Sequence, residues 1–166
     1  MMNLSATIKL KVPVLGILFL VIFSMKTFGA NITWNNLSGN YDWNTPGNWS
    51  TGVVPGPADV AIFNGTSTDN CNLNANVNVR GVSITAAYSG TITQQGTNTI
   101  TIGISNYAQA GGIFMGGTGT ITFDSTASFT LTGGAFTSTS GDLIITGNRA
   151  ANQTIVNYTA GTFNHN

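Results

Sequence analysis

Charge is what this 166-residue chain most lacks: charged residues make up 6% of it, and glutamate is absent altogether. All three lysines, Lys9, Lys11 and Lys26, fall in the first 26 residues. Beyond them stand two arginines, Arg80 and Arg149, against five aspartates, a net charge of −3. Such a surface offers no electrostatic footprint for nucleic acid or an anionic membrane, so no nucleic-acid partner is expected. Cysteine is represented only by Cys71, which excludes an internal disulfide. A lone thiol beside a strand reads as a small apolar filler in preference to a link to another chain. After residue 30 no stretch carries a helical period. Low charge signals disorder only when hydrophobicity is also low; here 42% of the chain is apolar, and the apolar residues beyond the N-terminus are patterned.

The N-terminus has the anatomy of a secretory leader. Lys9 and Lys11 precede a twelve-residue apolar run, Val12 to Phe23 (VPVLGILFLVIF), and Thr27-Phe28-Gly29 supplies the small residues for cleavage after Gly29. A membrane anchor would need about 20 apolar residues. Residues 1–29 are therefore expected to be a signal peptide, and the mature chain to be secreted, without a transmembrane segment, to the cell surface or the outer membrane.

Beyond the leader the chain reads as strands and turns. In 72-NLNANVNVR-80, Leu73, Ala75, Val77 and Val79 alternate with asparagines, the period-two signature of a strand with one buried face. DVAIF (59–63) runs into the turn signal Asn64-Gly65. From residue 82 the chain repeats. Gly90-Thr91-Ile92, Gly112-Ile113-Phe114, Gly134-Ala135-Phe136 and Gly161-Thr162-Phe163 share one pattern, their glycines 22, 22 and 27 residues apart. A second strand signal follows three of them (99-TITIG-103, 120-TITFD-124, 142-DLIITG-147), and a third precedes the last two glycines (128-SFTLT-132, 155-IVNYT-159). A unit of this length holding two or three short strands is one coil of a parallel β-solenoid, whose apolar side is buried only by the next coil. An antiparallel β-sandwich also has short, regularly spaced strands. The even spacing and sparse hairpin signals favour the solenoid. Three regions are expected: the leader, an N-terminal cap over 30–71, and solenoid repeats over 72–166. The last repeat, 161-GTFNHN-166, breaks off mid-pattern, so the native sequence is expected to run on past Asn166.

The cap region concentrates the unusual residues. Trp34, Trp43 and Trp49 could form an aromatic platform for sugar rings, as in a carbohydrate-binding module, or could plug the first coil; their position where a solenoid needs closing favours the plug. Pro46, Pro55 and Pro57 suit the loops of such a cap. Asp42, Asp59 and Asp69 are hard-oxygen candidates for a metal such as calcium, but they match neither an EF-hand nor a calcium-binding β-roll repeat. Asp59, beside Pro-Gly-Pro, reads more simply as a turn carboxylate. Asp124 and Asp142, in consecutive coils, could approach one another as a hydrolytic pair, yet only Arg149 lies nearby and the single histidine, His165, is next to last. No catalytic residue and no cofactor is expected. Thr99/Thr101 and Thr120/Thr122 align as an outward ladder that Asp142 and Ile144 interrupt, an ordinary exposed strand face.

Trp34, Asp42-Trp43, Asn48-Trp49-Ser50, Gly52, Pro55, Asp59 and Val60-Ala61-Ile62-Phe63 together resemble the opening of very large secreted bacterial surface proteins. The repeats 89-SGTITQQGTNTITIG-103 and 133-GGAFTSTSGDLIITG-147 are similar to those of autotransporter-like and other adhesin-like β-helix proteins. The resemblance spans nearly all of residues 31–166. It implies surface display and a structural or adhesive role, with surface glycans or host and matrix proteins as partners, and carries no catalytic residues to transfer.

Overall fold

The structure, a computed structural model, describes residues 29–124, 126–145 and 156–166. The expected leader lies, apart from Gly29, outside the described residues. The cap contributes strand β1 (Asn31–Thr33) and a single 3-10 turn at Pro46–Asn48. The first coil holds β2 (Val60–Phe63), β3 (Cys71–Leu73) and β4 (Val77–Val79). The second holds β5 (Gly81–Ile84), β6 (Thr91–Gln94) and β7 (Ile100–Ile102). The third holds β8 (Tyr107–Gln109), β9 (Ile113–Met115) and β10 (Ile121–Phe123). The fourth holds β11 (Phe129–Leu131), β12 (Ala135–Thr137) and β13 (Leu143–Ile145), and β14 (Val156–Tyr158) and β15 (Thr162–Asn164) complete the described chain.

Each coil sends its successive strands to three different sheets. These are β1-β2-β5-β8-β11-β14, β3-β6-β9-β12-β15, and β4-β7-β10-β13, with every ladder parallel. The chain is thus an all-β, three-sided parallel solenoid of about four turns, and the antiparallel sandwich is excluded. The glycine-led repeats are its second sheet. Cys71, Ile92, Phe114, Phe136 and Phe163 stack in register, one per coil. Gly112 and Gly134 precede two of these positions at φ +58° and +73°, a region few side chains enter. A Cβ on Gly134 would also strike the carbonyls of Gly111 and Gly112 in the coil before it.

The core is a set of such rows. Phe114 and Phe136 stack at 4.9 Å and 9°, and Tyr107 and Phe129 at 5.3 Å and 5°. Pairs of this kind contribute about 0.5–1.5 kcal/mol beyond the area they bury. Along the axis only a cavity of about 20 Å³ remains, lined by apolar side chains including Ile92, Ile100 and Phe123. A cavity of that size has room for a water and for nothing larger.

Two expectations about strands change. The alternating run 72–80 is two strands in different sheets, β3 and β4, separated by a corner at 74–76. The asparagines make the corner: Asn74 Oδ1 accepts the Asn44 N–H (3.0 Å) and Asn76 Oδ1 accepts that of Thr99 (2.9 Å). Alternation survives because Leu73, Val77 and Val79 still point inward. Strand β8 carries no obvious signal, since its inward residues are Tyr107 and Gln109, both 1% exposed. Gln109 accepts the Tyr107 hydroxyl (2.7 Å) and donates to the carbonyls of Gly111 (3.1 Å) and Ala135 (3.0 Å), so a polar side chain brackets a corner from inside. Residue 72, where the repeats were expected to begin, falls inside β3, and β1 and β2 already belong to the first sheet.

Candidate functional site: the tryptophan cap

The cap is assembled by strand pairing. Strand β1 lies along the outer edge of β2, and residues 41–43 lie along β3, where Asp42 bridges Asn72 and the Asn72 N–H donates to the Tyr41 carbonyl (2.7 Å). The outer edges of β2 and β3 are thereby paired, while β4 remains the end strand of its own sheet. Trp34, Trp49 and Trp43 fill the space behind them, at 0%, 2% and 3% exposure. Trp49 is central, edge-on to Trp34 at 5.1 Å and to Trp43 at 4.6 Å, and all three rest on Phe63 at the end of β2. The Trp49 indole N–H donates to the Trp43 carbonyl (2.7 Å) and that of Trp34 to the Asp69 carbonyl (3.3 Å). At this burial none of the three presents a ring face to a sugar.

The residues around the tryptophans each hold backbone. Asn48, 0% exposed, accepts the Ser38 N–H (3.0 Å) and donates to Asn40 Oδ1 (2.6 Å) and the Asp42 carbonyl (2.9 Å). Ser50 Oγ accepts the Thr33 N–H (2.9 Å). Asn36 accepts the Tyr41 N–H (3.1 Å) and donates to the Asp69 carboxylate (3.0 Å). That two asparagines are buried keystones was not readable from sequence, because asparagine is so frequent elsewhere in the chain.

The metal candidates do not converge. Asp59 accepts the Ala30 N–H (2.8 Å) on one carboxylate oxygen and the Gly56 N–H (3.0 Å) on the other, which makes it a turn carboxylate. Asp69 is committed to Asn36, and Asp42 lies on the other cap segment. Among the described residues no group of three or more His, Cys, Asp or Glu could hold a metal ion. Asp124 and Asp142 are not juxtaposed. Asp142 precedes β13 and its carbonyl accepts the Ile121 N–H, whereas Asp124 comes after β10 and donates its N–H to the Ile102 carbonyl. They lie at opposite ends of the strand. His165 is exposed after β15.

Cys71 is fully buried, and burial, helped by Asp42, pushes its thiol well above the usual range. Burial likewise raises Tyr88, with Cys71 and Asp69 adding to it, and burial alone raises Tyr107. None of these groups is poised to ionise near neutrality.

A trough of about 400 Å³ runs beside β4, between Pro57 and Ile104. Arg80 and Asp124 flank it on either side of Gly103, and Arg80 is the only Lys or Arg among the described residues. Among the described residues no helix is long and apolar enough to cross a membrane. The chain matches no protein-family model, no curated protein and no solved structure.

Proposed function

We propose that this chain is a non-catalytic structural and adhesive element of the bacterial cell surface, exported by its leader and related to the adhesin-like and autotransporter-like β-helix proteins. The observation that carries the reading is the architecture itself: a three-sided parallel solenoid with a buried tryptophan cluster in front of its first coil. Among the described residues no strand contains a charged residue, and the outward positions hold mainly Thr, Ser and Asn. Faces of this kind suit a spacer or an adhesive surface that meets neutral partners such as surface glycans or matrix proteins.

A carbohydrate-binding module built on Trp34, Trp43 and Trp49 is less well supported, because those rings are committed to packing. The experiment is fractionation of producing cells, with intact-mass measurement of the protein in the surface and medium fractions and protease shaving of whole cells. Export and display predict a protein that lacks residues 1–29, sits outside the cell and is cut from it by added protease. A cytoplasmic protein that retains its leader would end the proposal.

A further inference from the structure

We propose that Tyr41 is the ring on which a neutral saccharide stacks, in a site formed by the cap loop 36–44. The inference rests on the adhesive reading above and gives it a contact residue. Tyr41 is 45% exposed. Its ring packs on no other aromatic ring and its hydroxyl has no hydrogen-bond partner among the described residues, unlike Tyr88 and Tyr107, whose hydroxyls are both engaged.

Its backbone is more telling. Tyr41 has φ +62°, and the other non-glycine residues at positive φ are asparagines, Asn36 and Asn106, which tolerate that region. A bulky residue there is strained, and persists only when its surroundings hold it. Here the holders are identified: Asn36 Oδ1 takes the Tyr41 N–H, and the Tyr41 carbonyl takes the N–H of Asn72. Glycine would meet the same backbone requirement without strain, as Gly39 does two residues earlier at φ +69°. The chain instead carries a large ring there that is 45% exposed.

The surroundings indicate what the ring meets. Asn44 is exposed on the same loop and Asp42 is half-buried nearby, whereas the Asn40 amide is already engaged by Asn48, Asp42 and Thr45. Amide and carboxylate groups next to an exposed phenol match a pyranose, with its apolar C–H face and its rim of hydroxyls. The loop carries Asp42 and no basic residue, which disfavours an acidic sugar. Leu37, 81% exposed, lies on the same loop and makes a protein partner the rival outcome.

The test uses the purified mature protein, immobilised neutral polysaccharides (glucan, mannan, galactan), acidic ones (pectate, alginate) and matrix protein, with the variants Tyr41→Gly, Tyr41→Trp and Leu37→Ser. The wild type is expected to bind at least one neutral polysaccharide. Tyr41→Gly should bind it roughly tenfold or more weakly while melting at or above the wild-type temperature, and Tyr41→Trp and Leu37→Ser should keep binding. Four results would overturn the proposal: undiminished binding by Tyr41→Gly, a lower melting temperature for Tyr41→Gly, binding to acidic polysaccharides only, or Tyr41-dependent binding to matrix protein alone. Because the assay uses purified protein, its failure is separate from a failure of surface display, which fractionation reads.

Discussion

The first and the last described coils present the same kind of surface and differ in what covers it. At the N-terminal end, β1 and residues 41–43 pair with the outermost strands, and three tryptophans are buried to 3% exposure or less. At the other end, Val156, Tyr158 and Phe163 occupy inward positions of the same rows yet are 50%, 54% and 42% exposed. Phe163 continues the row of Phe114 and Phe136, which are 4% and 1% exposed. Nothing in the strand distinguishes them; among the described residues, Phe114 and Phe136 have a paired strand on both sides and Phe163 on one. Burial in this fold is supplied by the next coil, so a cap is a substitute coil.

Alkali tests the buried interior as a whole. Cys71, Tyr88 and Tyr107 have folded values raised mainly by burial, so the fold favours their protonated forms. Stability should hold below the unfolded thiol and phenol values, about 8.5 and 10, and fall as pH rises beyond them. Denaturant melts from pH 7 to 11 check this, and loss of stability on acidification alone would contradict it. Next, Trp49→Ala should cost about 3–5 kcal/mol, because it removes the centre of the plug; chemical denaturation reads it. Phe136→Ala should cost about 3–5 kcal/mol and Phe163→Ala about 1–2 kcal/mol, in proportion to burial. Equal costs would mean that the end coil is covered in solution. Gln109→Leu should cost about 1–3 kcal/mol, since the Tyr107 hydroxyl and the carbonyls of Gly111, Gly112 and Ala135 lose their partner. Asp59→Ala should cost about 1 kcal/mol by releasing two backbone N–H groups of the cap loops, seen as faster hydrogen exchange at Ala30 and Gly56.

Much of the solenoid was legible because its signals are periodic. The glycine-led repeats stack residue for residue, and the outward Thr101–Thr122 ladder ends at Ile144 as expected. The turn at 74–76 was not legible, because a corner that keeps inward parity leaves the alternation intact. Strand β8 was hidden for a different reason: its inward glutamine looks like a surface residue until the carbonyls it serves are in place. In the cap, sequence located the tryptophan cluster and favoured the plug that the buried rings form. It did not single out Tyr41, an ordinary tyrosine held at the surface with a positive φ. That distinction lives in φ, which composition does not encode.

The orientation of the ladders has a mechanical consequence. Hydrogen bonds between coils run along the solenoid axis, so tension applied end to end stretches them directly. Coils would then peel one after another from an end. Each released coil adds roughly 70–80 Å of contour length, at about 3.3–3.6 Å per residue over the 22 residues that separate Phe114 from Phe136. A rod built this way lengthens under load in steps set by the length of each repeat, and a row such as Phe114–Phe136 that re-stacks when tension drops makes the extension recoverable.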